Sequence, residues 1–143
     1  MRTTVAHVLA AKGKDVWSVA PDATVYHALE VMADKGVGAL VVVEGDRLVG
    51  IVSERDYARK VILLDRVSRD TAVSEIMTSE VHTVSPSSSV TECMTLMTER
   101  RIRHLPVMDG ERLLGVISIG DIVKAVIQDQ RFLIEQLEQY ITS

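Results

Sequence analysis

The chain of 143 residues holds one cysteine, Cys93, and four scattered histidines. An internal disulfide is therefore excluded, and no His/Cys spacing of the zinc-binding kind is present. Aromatic side chains are equally scarce: Trp17, Tyr26, Tyr57, Phe132 and Tyr140 are the whole set, which argues against a nucleic-acid platform built on stacked rings. There is no excess of positive charge, since 16 Lys and Arg against 20 Asp and Glu give 16 − 20 = −4. That balance provides no general attraction to DNA or to anionic lipid. No apolar run approaches the roughly 18 residues a membrane span requires. The N-terminus carries Arg2 and then only a short apolar stretch to Ala11 before Lys12, too weak a pattern for a signal peptide. The expectation is a soluble, cytoplasmic protein with no nucleic-acid and no membrane partner.

Apolar residues make up 47% and charged residues 25% of the chain, close to the globular average, so disorder and collagen-like repeats are excluded. The length is that of one compact domain, able to bury roughly two-thirds of its unfolded surface without a metal or disulfide staple.

Sliding the chain by 65 residues aligns Val16–Tyr57 with Val81–Ile122 without a gap, and 13 of the 42 pairs are identical. Among them are Pro21/Pro86, Met32/Met97, Gly45/Gly110, Gly50/Gly115, Ser53/Ser118 and Asp56/Asp121. Chance would give about two or three identities, so the chain is a duplication.

Each copy reads as strand–helix–strand–strand–helix. Val16–Val19 and Val81–Val84 are short β-prone runs closed by Pro21 and Pro86. Val25, Ala28, Leu29 and Met32 recur at helical spacing, and Val90, Cys93, Met94 and Met97 repeat it. Thr24 and Ser89-x-x-Glu92 supply caps, Gly36 ends the first helix, and Arg101 stands at its counterpart. Leu40–Val43 and Leu48–Val52 flank a hairpin turn at Glu44–Arg47, as Leu105–Met108 and Leu113–Ile117 flank Asp109–Arg112. These runs are apolar nearly throughout, which predicts strands covered on both faces. Closing helices are expected over Glu54–Leu64 and Ile119–Tyr140, the latter with a stripe at Ile122, Val126, Leu133, Leu137 and Tyr140 that is interrupted near Asp129.

A short helix leads into each copy, around Val5–Leu9 and Val73–Met77. Along the chain this divides into 1–64, repeat one with its leading helix; 65–72, a linker; and 73–143, repeat two with its leading and C-terminal helices. Val8 to Val16 spans eight residues and Ile76 to Val81 spans five, so the first copy has a longer lead-in, polar and basic at Lys12 and Lys14.

The strongest shared element lies where the third strand meets the last helix: Gly50-Ile51-Val52-Ser53-Glu54-Arg55-Asp56 and Gly115-Val116-Ile117-Ser118-Ile119-Gly120-Asp121. A helix N-terminus offers unpaired N–H groups and a partial positive charge to a phosphate. The Ser hydroxyl can donate to a phosphate oxygen, and a carboxylate one turn on can accept from a ribose diol. The alternative is a capping box in which Ser and Asp serve only the helix. Arg100-Arg101-x-Arg103-His104 is the densest positive cluster, read either as cations on a helix C-terminus or as ligand donors. Cys93 and the Met residues at helical spacing read as core.

The order and duplication of these motifs resemble the CBS (cystathionine β-synthase) domain, with two tandem copies forming a Bateman module over about residues 5–130. The residues that carry the resemblance are Val19-Ala20-Pro21-Asp22, Gly36–Val43 and Gly50–Asp56 in copy one. In copy two they are Val84-Ser85-Pro86, Arg101–Val107 and Gly115–Asp121. The resemblance implies an α/β (α+β) fold of two β-α-β-β-α repeats packed as a pseudo-two-fold pair, with two clefts suited to AMP, ADP, ATP or NAD. It implies one cleft using Ser53, Asp56 and the backbone near Ile51, with His82, Ile102, Arg103 and His104 from copy two. The other would use Ser118, Asp121 and Val116, with Trp17, Val37, Gly38 and Ala39 from copy one. Arg103 and His104 bring donors to the first cleft; the second would draw on Trp17, the helix N-terminus and Lys12 or Lys14. Trp17 stands where an adenine could stack, with half-buried packing as the alternative.

Neither copy offers an activated nucleophile, a Walker-type loop or paired carboxylates for Mg²⁺. Ser53 and Ser118 have no His placed beside them as base. The expectation is therefore a non-catalytic adenosine-nucleotide sensor without a catalytic cofactor. It would form a homodimer and regulate an unidentified partner protein; the alternative is an interaction scaffold with vestigial clefts. Which nucleotide is bound stays open, because adenosine and phosphate contacts are common to all four.

Overall fold

The computed structural model describes residues 3–13 and 15–142. The chain divides into two packing units that cut across the sequence order. One comprises Asp15–His82 with Glu111–Leu113; the other comprises Met1–Lys14, Thr83–Gly110 and Leu114–Ser143. Each segment that leads into one repeat therefore belongs to the unit built on the other repeat. The divisions at 64 and 73 describe the duplication along the chain, not these packing units.

In the first unit, strand β1 (Ser18–Val19) is followed by helix α2 (Val25–Lys35), strands β2 (Ala39–Glu44) and β3 (Arg47–Ser53), and helix α3 (Glu54–Lys60). β1 pairs parallel with β2, and β2 antiparallel with β3, through Ala39↔Ser53, Leu40↔Val52 and Val41↔Ile51, with an irregularity between Val42 and Val43. The predicted run from Val16 contributes only its last two residues to the sheet. Thr24 caps α2 by accepting from the His27 N–H at 3.1 Å, and Gly36 closes it at φ 67°. That left-handed backbone costs glycine nothing and an L-residue about 1–2 kcal/mol.

The closing helix expected to reach Leu64 stops at Lys60, and the chain continues in short turns of 3-10 helix at Ile62–Leu64, at Ser68–Asp70 within the expected linker, and at Val73–Glu75. Val25 N–H donates to the Thr71 carbonyl and Val73 N–H to that of Ala23, both at 2.8 Å. These bonds stitch the segment onto the start of α2. Val73 and Ile76 thereby enter a core with Val19, Val25, Ala28, Met32, Leu40, Val42, Val52 and Val61.

The second unit begins with helix α1 (Val5–Lys12) and continues with α4 (Val90–Arg100), β4 (His104–Asp109), β5 (Arg112–Ser118) and α5 (Ile119–Thr142). The counterpart of β1 shrinks to one parallel bridge, Val84↔Val107. Val5 and Ala6 donate to the carbonyls of Ser88 and Pro86 at 2.8 and 2.9 Å. Val5, Val8 and Leu9 then pack with Cys93, Met97, Leu105, Val107, Ile117 and Ile122. Arg101 takes the place of Gly36 and shares its left-handed backbone at φ 54°.

Two expectations are corrected. β2 and β4 are buried at three consecutive central residues, but β3 and β5 bury only Gly50 and Val52, and Gly115 and Ile117; the residues between are half-buried. The last helix is unbroken at Asp129, whose carboxylate accepts from the Thr3 hydroxyl at 2.5 Å. Its stripe also divides: Ile122 is in the core, while Leu133, Leu137 and Tyr140 are exposed.

Candidate functional site

The two Ser-x-x-Asp sequences lie at the starts of α3 and α5, and both form the complete reciprocal box. Ser53 N–H and hydroxyl donate to Asp56 Oδ2 at 2.9 and 3.1 Å, and Asp56 N–H donates back to Ser53 Oγ at 3.2 Å. At the second corner the distances from Ser118 to Asp121 Oδ2 are 2.8 and 3.0 Å, with 3.2 Å in return. The strand delivers Ser in extended backbone, φ −132° at Ser53, and the next turn brings Asp over the unpaired N–H groups. In both repeats the two bonds that Ser donates end on the same oxygen, Oδ2.

The flanks of the two corners differ. On the outer edge of β3, Ile51 exchanges two hydrogen bonds with Thr78: N–H to carbonyl at 3.0 Å, and carbonyl from N–H at 2.9 Å. The backbone of Ile51, expected to face ligand, is thus taken up in a bridge. Lys60 lies 3.5 Å from Asp56 Oδ1 and donates to the Ile76 carbonyl at 2.9 Å. At the second corner the Lys12 ammonium bonds both the Val116 carbonyl and Asp121 Oδ2, each at 2.7 Å. Burial pushes the Asp121 carboxyl up, but the Lys12 ammonium and the Ser118 donors outweigh it and hold the group below the usual carboxylate range.

Arg103 and His104 lie beside the same corner. The Arg103 carbonyl accepts from Ile119 N–H at 2.8 Å, just as the Gly38 carbonyl accepts from Glu54 N–H at 3.0 Å. The His104 imidazole is pushed below its ordinary value by burial, then by Lys12 and Arg103, against an opposing pull from Asp121. The second repeat therefore gathers Lys12, Arg103 and His104 around Ser118 and Asp121, within one unit. Lys14 lies outside the described residues, and His82 is exposed.

Val37 and Ile102 are expected in the clefts, but each packs on the core of its own unit. Their N–H groups donate to the Met32 and Met97 carbonyls at 3.0 and 3.1 Å. They are the apolar residues that follow a left-handed helix cap. Trp17 is 37% exposed, and Lys35 Nζ sits 4.5 Å from its ring centroid, so one ring face already holds a cation. Ala39 is half-buried and opposite Ser53 in the sheet.

Sequence reasoning missed Lys35 and Lys60. Lys60 stands four residues after Asp56, a spacing that could have signalled the pair; nothing local links Lys35 to Trp17. A groove of about 270 Å³ between α4 and α5 is lined by Val90, Val126, Asp129, Phe132 and Leu133, and none of the corner residues reaches it. Among the described residues no cluster of His, Cys, Asp and Glu could hold a metal ion, and no helix is long and apolar enough to cross a membrane.

The family profile of the CBS domain matches this chain twice, over residues 6–63 and 73–128. The chain is 44% identical over 149 aligned residues to the CBS domain-containing protein CBSX3, mitochondrial, of Arabidopsis thaliana, covering 97% of this chain and 72% of that one. A solved protein with CBS domains from Burkholderia ambifaria superposes with a TM-score of 0.86 at 57% identity, over 90% of this chain and 96% of that one. The CBS domain pair of protein MJ0100, solved in complex with 5′-methylthioadenosine and S-adenosyl-L-methionine, shares the fold at a TM-score of 0.80 and 23% identity. That match covers 90% of this chain and 99% of the other.

Proposed function

The chain belongs to the CBS domain family, and from that premise we propose that it is a regulatory module that binds an adenosine nucleotide and acts on a partner protein. The observation that carries the reading is the recurrence of one corner, a Ser hydroxyl and an Asp carboxylate at a helix start, in both repeats. In each corner the box engages Oδ2, and Oδ1 would be the acceptor for a ribose diol. Ser53 and Ser118, with the N–H groups of the helix start, would face phosphate. Arg103 and His104 would flank the ligand at the Asp121 corner together with Lys12, and Gly38 and Ala39 hold the matching places beside the Asp56 corner. The MJ0100 pair supports this ligand class, since a pair of the same fold holds adenosine compounds. AMP, ADP, ATP and NAD all satisfy the chemistry.

The module would work without turnover and without a catalytic cofactor, in the cytoplasm. A ligand would shift it only as far as it favours one conformational state over the other. A second copy would pair through the exposed apolar face of α5, where Leu133, Leu137, Tyr140 and Ile141 fall on one stripe. Light scattering at micromolar concentration tests this, and a stable monomer would refute it.

The complete capping boxes favour a second reading, a scaffold in which Ser and Asp serve only the helices. A thermal-shift titration with AMP, ADP, ATP, NAD and S-adenosylmethionine separates the two. Saturation at 100 times Kd adds about 2.7 kcal/mol, and Asp56→Ala or Asp121→Ala should reduce the shift. A flat response to every compound would leave the scaffold.

A further inference from the structure

The lead-in to the first repeat is three residues longer than its counterpart, eight positions from Val8 to Val16 against five from Ile76 to Val81. Leu9 and Met77 occupy corresponding places, since a Cβ added at Gly115 would meet Leu9 and one added at Gly50 would meet Met77. The 3-10 turn before Met77 has already ended at Glu75, and Thr78 bonds the β3 edge through its backbone. After Leu9 the chain stays helical for almost one more turn, and that turn carries Lys12 to the edge of β5. A neutral backbone bridge closes one corner, and an ammonium closes the other.

We propose that Lys12 is a specificity-determining residue that makes the Ser118–Asp121 corner select phosphorylated adenosine ligands over neutral ones; this rests on the nucleotide reading above. The argument is one of acceptors. Lys12 spans the Val116 carbonyl and Asp121 Oδ2 with two charge-assisted bonds of 2.7 Å, so a ligand that takes the carbonyl and brings its ribose to Oδ1 must displace or share the ammonium. Uncharged adenosine displaces the ammonium and leaves it without a counter-charge. A phosphate supplies that counter-charge, so the ammonium exchanges one anion for another. Arg103 beside the corner adds a second cation, close enough to bear on His104, and Asp56 has no equivalent, because its lysine follows it on the same helix.

The test follows the backbone amides of Ser118 and Asp121 by NMR in the full chain during titration with AMP and with adenosine. Wild type should bind AMP roughly tenfold or more tightly than adenosine at this corner. In Lys12→Met the ratio should fall toward unity, with adenosine bound more tightly than by wild type, and Lys12→Arg should restore the preference. An unchanged ratio in Lys12→Met overturns the role of Lys12 while leaving the nucleotide reading intact. No amide shift from either compound in either protein overturns both.

Discussion

Gly50 is pressed against Met77: a Cβ built on the glycine would lie 2.6 Å from the Met77 sulfur and 3.0 Å from the Thr78 carbonyl oxygen. The sulfur sits on a flexible side chain, but the carbonyl is fixed by its bridge to Ile51. Gly115, the matching residue, meets only the Leu9 side chain, at 2.8 Å. Gly50→Ala should therefore cost about 1–3 kcal/mol by overpacking, and Gly115→Ala less than about 1 kcal/mol. Urea denaturation of the two variants checks the order; equal losses would contradict the account.

Glycine at an N-cap costs only a few tenths of a kcal/mol against serine, whereas alanine costs about 1 kcal/mol. Ser53→Gly and Ser118→Gly should therefore melt close to wild type, with the corresponding alanine variants lower. If the hydroxyls face phosphate, the glycine variants should still lose nucleotide affinity. Retained affinity together with retained stability would show that the hydroxyls serve only the helix.

The duplication, the helices and the hairpins are legible in the sequence because each rests on local signals: a 3.6-residue period, a Gly-containing turn, a cap. The exchange of leading segments is not legible, since Val5–Leu9 and Val73–Ile76 have the same pattern and either could pack on either repeat. Val37 and Ile102 look like strand mouths until the left-handed residue before each makes it part of a helix ending. The corner residues Ser53, Asp56, Ser118 and Asp121 could be found by their recurrence behind Gly50 and Gly115. Lys12 could be named only as a choice beside Lys14, because its role depends on where the helix stops.

Cys93 is fully buried, and burial together with Glu92 pushes its thiol up to about 11. Thiolate is the reactive form, so iodoacetamide at neutral pH should leave the native chain unmodified and label it in denaturant. The sign for stability follows. The folded value is raised, so this contribution is intact below 9.0, the ordinary value, and is lost as pH rises above it.

His104 and Asp121 should divide the acid limb of stability into two windows. The imidazole is held below its ordinary value of 6.5, so just under that pH the unfolded chain binds a proton that the folded chain refuses. Stability is then full above 6.5 and declines as pH falls, with a slope of at most about 1.4 kcal/mol per pH unit for one proton. Asp121 is held below 3.8, so its contribution persists through that first window. It is lost only as pH falls below 3.8 through the folded value. His104→Gln should flatten the first decline and spare the second, whereas Lys12→Met should weaken both effects, because Lys12 presses the imidazole and the carboxyl down alike. Urea denaturation from about pH 7.5 to about pH 3 reads the two slopes. A first decline that survives His104→Gln would assign it to another group and remove His104 from the electrostatics of this corner.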